Sequence, residues 1–234
     1  MRFPLFIFCI AVVIFSCNKP LEKPLFQLEK NTGIDFTNTV IDGQLENSFY
    51  FRNYYNGGGV ATGDINNDGL PDVMLTSNMG DNKLYLNKGN FKFEDISAKA
   101  GLKQDSMWST GVTLVDINND GWLDIFVCNS GHMQNGNRRS KLYINDHNLG
   151  FTESAVKYGL DNMAYTTHVS FFDYDMDGDL DCFMINNSPI PINNIGDSNR
   201  RSTPDALWPV AEFLKGGGDP VSYTHLTLPT NREV

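Results

Sequence analysis

A nine-residue acidic pattern occurs three times in this chain, and it restricts the possible folds more than any other feature. Residues 64–72, 116–124 and 173–181 each read Asp-x-Asx-x-Asp-Gly-x-x-Asp. The first residues of successive copies lie 52 and 57 positions apart. These windows hold 11 of the 28 acidic residues, and without them 17 acids face 18 bases. The net charge of −10 is therefore local, and concentrated carboxylates call for a counter-ion. With no basic stripe, nucleic acid is not an expected partner.

Self-similarity extends beyond the acidic windows, as expected of a repeat architecture. Lys83-Leu-Tyr-Leu-Asn matches Lys141-Leu-Tyr-Ile-Asn, and residues 87–102 match 145–160 without a gap. The segment from Trp108 matches the one from Tyr165, and a polar insertion from His132 to Arg139 accounts for most of the unequal spacing. Each unit alternates short β-branched and aromatic stretches with Gly, Asn and Asp. GVTLV, DIFVC, KLYIN and GFTES are the examples in the second unit. That pattern predicts short strands. About four strands in each unit predict an all-β fold, a β-propeller built from four-stranded blades. No single blade buries both faces, so neighbours must supply the core. About three blades are expected here. Propellers usually have about four to eight, so the set is expected to be incomplete.

The acidic windows have the chemistry of a metal loop. Numbered from its first Asp, the first offers Asp64, Asn66, Asp68 and Asp72, with the carbonyl of Leu70 at position 7. The second offers Asp116, Asn118, Asp120 and Asp124 with Trp122, and the third Asp173, Asp175, Asp177 and Asp181 with Asp179. Oxygen groups at alternate residues converge when the chain turns tightly, and Gly at position 6 permits the turn. Hard oxygen ligands without Cys or His favour Ca²⁺, at about three sites, over zinc or copper, and Mg²⁺ suits the set less well. An EF-hand is excluded because position 12 is Leu75, Val127 or Met184 rather than Glu, and the flanks are strand-like. The helical dockerin fails on the same grounds, and the thrombospondin-type calcium repeats fail because they are cysteine-rich and poor in strands. The third loop carries the most carboxylates and is expected to bind calcium most tightly.

The pattern resembles the FG-GAP repeat of integrin-α propellers and the related VCBS repeat over residues 31–190. More narrowly, the chain resembles bacterial envelope lipoproteins related to the cartilage acidic protein and ASPIC/UnbV family. No ASPIC/UnbV module is recognised. The resemblance implies that the acidic loop is a hairpin between two strands of a blade. It also implies that calcium braces the blades while other loops do the recognition.

Arg2 and the uncharged 13-residue run from Phe3 to Phe15 read as a signal peptide over residues 1–16, too short for a membrane span of about 20 residues. Ile14-Phe-Ser-Cys17 resembles a bacterial lipobox, which makes Cys17 the lipidation site and residues 17–30 a tether. The expected location is the bacterial envelope, as a surface-exposed outer-membrane lipoprotein whose membrane contact is the lipid anchor. In the body only Cys128 and Cys182 remain, read as two buried free thiols. Residues 191–220 read as a loop or insertion. Residues 221–234 resemble the conceptual translation of a sequencing-library adapter, an artefact rather than a natural strand.

No nucleophile motif or phosphate loop appears, and His132, His147 and His168 share no ligand spacing. Trp108 and Tyr165 stand at equivalent repeat positions with Tyr55 close to the same place; core packing is expected, and sugar stacking is the alternative. The expected function is a non-enzymatic calcium-binding module for a protein or glycan ligand. A calcium-dependent polysaccharide lyase or hydrolase, or a scaffold subunit of an envelope complex, are the alternatives.

Overall fold

The computed structural model describes residues 24–44, 46–48, 53–102, 107–130, 138–187 and, as backbone only, 221–227. Met1–Lys30 and Asn31–Val234 are separate units. In the first, the described residues 24–30 are exposed and form no strand. Among the described residues, the second holds eleven strands and no helix.

The strands form three antiparallel sheets in chain order. The first contains β1 (Val60–Gly63), β2 (Asp72–Leu75), β3 (Lys83–Asn87) and β4 (Phe93–Asp95). The second contains β5 (Ser109–Val115), β6 (Asp124–Asn129), β7 (Lys141–Asn145) and β8 (Phe151–Glu153). The third contains β9 (Tyr165–Phe172), β10 (Asp181–Asn187) and β11 (Val221–Thr227). The four stretches singled out in the second unit are β5 to β8, and the first two sheets are four-stranded meanders of the blade type. β11 pairs with β10 along Asp181↔Thr227 to Asn187↔Val221. An open strand edge beside a segment of strand-forming residues is enough for that pairing. The proposed loop at 191–220 lies outside the described residues.

The sheets are joined face to face by apolar clusters. Met74, Leu84 and Leu86 of the first sheet pack with Val112, Ile125, Val127 and Tyr143 of the second. The other face of the second sheet, through Phe126, Cys128 and Leu142, packs with Val169, Cys182 and Met184 of the third. Every residue of β6 is buried, whereas β2 alternates between buried and half-buried. β6 reads as a continuous apolar run because it has a neighbouring sheet on each side, which is what such a run signals when turn residues bound it.

Successive sheets also approach one another closely through backbone near these strands. Thr76 Oγ1 donates to Thr110 O at 2.5 Å, and Thr110 Oγ1 donates to Thr166 O at 2.7 Å. A Cβ on Gly111 would lie 2.4 Å from Thr167 O, so the second and third sheets meet here only because this residue has no side chain.

Cys128 and Cys182 are buried and free, as read from the sequence. Burial pushes both thiols upward, Cys182 to about 12.

Candidate metal centre

All three acidic patterns lie in the hairpin between the first and second strands of a sheet. The closing pairs are Gly63↔Asp72, Val115↔Asp124 and Phe172↔Asp181. Each hairpin folds on its own side chains. The Asp64 carboxylate accepts the N–H groups of Asp68 and Gly69 at 3.1 and 2.6 Å. Asp116 does the same for Asp120 and Gly121, and Asp173 for Asp177 and Gly178. The short Asp side chain thus takes over backbone donors that the turn strips from a ladder. At position 7, Leu70, Trp122 and Asp179 each give a backbone N–H to the position-5 carboxylate.

Two backbone positions per loop are left-handed. Gly69, Gly121 and Gly178 at position 6 have φ of 85°, 84° and 94°. Position 4 is also left-handed, with φ of 57°, 58° and 62° at Asn67, Asn119 and Met176. The sequence reading identified the glycine and missed position 4. Asn at that position in two loops was the available signal, since Asn is among the few side chains that tolerate this region.

The loop turns positions 1, 3 and 5 toward a common point. Carboxylate oxygens of Asp173, Asp175 and Asp177 all lie within 4.8 Å of one another, the one carboxylate trio of this kind among the described residues. Oxygens held about 2.3–2.6 Å from a shared Ca²⁺ have separations of this order, so the donor set fits that ion. In the first two loops Asn66 and Asn118 stand at position 3 and give their amides to Asp68 and Asp120 at 2.9 and 2.8 Å.

Position 9 behaves differently from the other acidic positions. Asp72, Asp124 and Asp181 are buried beneath the loops. Asp72 accepts Ile65 N–H at 3.0 Å and Asn87 N–H at 2.7 Å; Asp124 accepts Ile117 N–H at 3.1 Å and Asn145 N–H at 2.8 Å. Asp181 accepts Tyr174 N–H at 2.8 Å. This aspartate ties the start of the loop to the sheet. Burial raises the Asp72 and Asp124 carboxyls, Asp124 to about 6, against the lowering effect of their backbone donors and with the nearby loop aspartates adding to the rise. Asp179 is also pushed up to about 6, first by a hydrogen bond shared with Asp177, then by slight burial and by the charges of Asp177, Asp181 and Asp175.

Two further contributors were not evident from spacing. Asn145 donates its side-chain amide to Leu123 O of its own loop and to Ile65 O of the preceding one. Asn87 donates to Pro71 O at the corresponding place. The recurring final Asn of the KLYLN and KLYIN stretches carried that signal. His147 lies on the surface, as expected, but its Nε2 is 3.0 Å from Asp120 Oδ2 and its ring stacks on Trp122 with centroids 4.8 Å apart. The Asp120 carboxyl is lowered: burial opposes the change, and the contact with His147 and the donors from Trp122 and Asn118 outweigh it. His168 is exposed on β9, and His132 and Cys17 lie outside the described residues.

Trp108 and Tyr165 are 3% and 8% exposed and pack with Tyr54. The first-unit counterpart is therefore Tyr54, not Tyr55, which is 61% exposed and hydrogen-bonded to Asp42. Buried rings offer no open platform for a sugar, and core packing is their role here.

The three hairpins share strand pairing, φ pattern and internal bonds, so they are copies of one device. Residues 64–127 match the FG-GAP-like repeat family. This chain carries an FG-GAP-like repeat. The matched stretch runs from the first acidic hairpin to the strand that follows the second. The chain is also 33% identical to cartilage acidic protein 1 of Xenopus tropicalis over 137 residues, 57% of this chain and 20% of that protein. The human and mouse proteins of that name are 31% and 32% identical over 135 residues, again 20% of their length. The chain thus aligns with about a fifth of the curated relatives it matches. An FG-GAP-like repeat fits a non-enzymatic protein-binding module.

Proposed function

We propose that this chain is a calcium-braced binding module of the bacterial cell envelope, tethered by lipid at Cys17, which presents its surface loops to a protein or glycan ligand. The observation that carries this reading is the convergence of the Asp173, Asp175 and Asp177 oxygens within 4.8 Å, in a hairpin whose backbone recurs in the other two loops. At the third site Asp173, Asp175, Asp177 and the Asp179 carbonyl are the proposed ligands, with Asp181 beneath them. Asp64, Asn66, Asp68, Leu70 and Asp72 form the first site, and Asp116, Asn118, Asp120, Trp122 and Asp124 the second. A bound cation supplies the positive charge that these crowded carboxylates otherwise lack. Fixing the hairpin then fixes the ends of the first two strands of each sheet, through the position-9 aspartate and the Asn87 or Asn145 clamp. The ion's role is structural, and recognition falls to the loops that differ between repeats.

Thermal unfolding of the chain with calcium and with a chelator tests this. A ligand that binds only the folded state raises the melting temperature with its concentration. A calcium-dependent rise is expected. A cooperative melt indifferent to calcium would remove the metal sites from the account.

A further inference from the structure

A peptide bond between Asn or Asp and Gly is chemically weak. The glycine nitrogen can attack the side-chain carbonyl that precedes it, and no Cβ obstructs the approach. Five such bonds lie among the described residues: Asp42-Gly43, Asn56-Gly57, Asp68-Gly69, Asp120-Gly121 and Asp177-Gly178. In four of them the glycine N–H is engaged elsewhere. Gly43 donates to Glu46 O at 2.8 Å. Gly69, Gly121 and Gly178 donate to the carboxylates of Asp64, Asp116 and Asp173 at 2.6, 2.8 and 3.1 Å. A donor fixed on a carboxylate is held away from the side chain before it, and the negative charge opposes loss of its proton.

Asn56-Gly57 has no such protection. Asn56 is the one asparagine in the five and lies exposed shortly before β1. Its backbone N–H closes a turn onto Asn53 O at 3.1 Å. Among the described residues, the Asn56 side chain and the Gly57 N–H have no hydrogen-bond partner. A Cβ added at Gly57 would have Asn38 Nδ2, at 4.0 Å, as its one neighbour, so the bond is open to rearrangement and to water.

The chain just after this bond is tightly lodged. Gly57 O accepts Asn78 Nδ2 at 3.1 Å, and the same amide donates to Ser109 O of the second sheet at 2.9 Å. A Cβ on Gly58 would lie 1.7 Å from Thr76 O, and Gly59 N–H donates to Thr76 Oγ1 at 2.6 Å. Asn78 is 2% exposed, so it ties the glycine run to the joint between the first two sheets from a buried position.

We propose that Asn56-Gly57 is a site of spontaneous deamidation to isoaspartate, and that this modification loosens the joint between the first two sheets. The Gly57 nitrogen gives up its proton and bonds to Asn56 Cγ. The Cγ–Nδ2 bond breaks, and Nδ2 leaves as ammonia with that proton. Water then opens the cyclic imide at either carbonyl and leaves a carboxylate, with no change of oxidation state. Opening at the backbone carbonyl gives isoaspartate, in which the main chain runs through Cγ and is longer by one methylene. Gly57 then cannot keep its carbonyl on Asn78 while Gly58 stays against Thr76. The buried Asn78 amide loses an acceptor, which costs stability. None of this depends on calcium.

Incubation of the folded protein at mildly alkaline pH tests the site, followed by digestion in acid and mass spectrometry with electron-transfer fragmentation, which separates isoaspartate from aspartate. The chain contains its own references, because the Asn66 and Asn118 amides are held by Asp68 and Asp120 at 2.9 and 2.8 Å. Asn56 is expected to convert well ahead of both, with isoaspartate as the major product. An Asn56 amide that survives as long as those two overturns the proposal. The melting temperature of the unaltered protein is expected to fall as isoaspartate accumulates. Asn56→Gln, whose longer side chain closes the imide ring far less readily, is expected to hold its melting temperature through the same incubation. An equal fall in both proteins overturns the link to the joint.

Discussion

The first two acidic hairpins and the third follow one backbone design with unequal support. In the first two, Asn occupies the left-handed position 4, and an Ile at position 2 plugs the next sheet. Asn67 also donates to Gly121 O at 3.1 Å, which links neighbouring loops. In the third, Met176 is held left-handed while 89% exposed, Tyr174 is exposed, and a fourth loop carboxylate, Asp179, is hydrogen-bonded to Asp177. The protein holds the first two hairpins mainly by packing. The third has less packing and more negative charge, so under the proposed function it is the hairpin expected to depend most on a cation. A repeated loop sequence therefore does not imply three sites of equal strength.

The plug residues give the largest test of that difference. Ile117→Ala removes a buried side chain at the junction of two sheets and is expected to cost about 2–5 kcal/mol in urea unfolding. Tyr174→Ala in this chain expressed by itself is expected to change stability by less than about 0.5 kcal/mol, as for exposed positions generally. Equal losses would abolish the distinction between supported and unsupported hairpins.

Next in size is the glycine of each turn. A Cβ at Gly121 or Gly178 would meet nothing within 4 Å, so Ala is not excluded by contact. It would still sit at φ of 84° or 94°, and the strain is expected to lower the melting temperature by an amount matching about 1–2 kcal/mol. Loss of that order at both sites would show that the turn, not the space around it, requires glycine.

Calorimetry can then separate the loops by affinity. Asp177→Ala removes one of the three convergent carboxylates and is expected to weaken calcium at the third site about tenfold, or about 1.4 kcal/mol, leaving the other two unchanged. Identical affinity at all three sites in the unaltered chain would contradict the ranking by carboxylate number.

The smallest expected effect concerns position 4. Met176→Asn gives the third loop the residue of the other two and is expected to stabilise the chain by about 0.5–1 kcal/mol in the presence of a chelator. Asn67→Met is expected to lose a similar amount. If neither variant shifts the melt, the left-handed residue does not distinguish the loops.

Much of this arrangement was legible without coordinates. The repeat gave the number of units, the alternation of apolar stretches and turn residues gave the strands, and the acidic spacing located the hairpins. These features are local or periodic, so the order of residues carries them. The distinction between Tyr54 and Tyr55 was not legible, because adjacent residues on an irregular segment face different ways and only packing selects one. The contact of His147 with Asp120 joins residues 27 apart with no shared spacing.

By itself, the sequence determined the period, the hairpin chemistry and the all-β class, because turn geometry and oxygen donors at alternate residues are properties of a short stretch of chain. Only the tertiary structure decided that position 9 is a buried anchor beneath the loop. It likewise decided that the position-2 residue is buried against the next sheet in the first two loops and exposed in the third. Burial depends on which sheet lies alongside, and nothing within a nine-residue pattern specifies its neighbour.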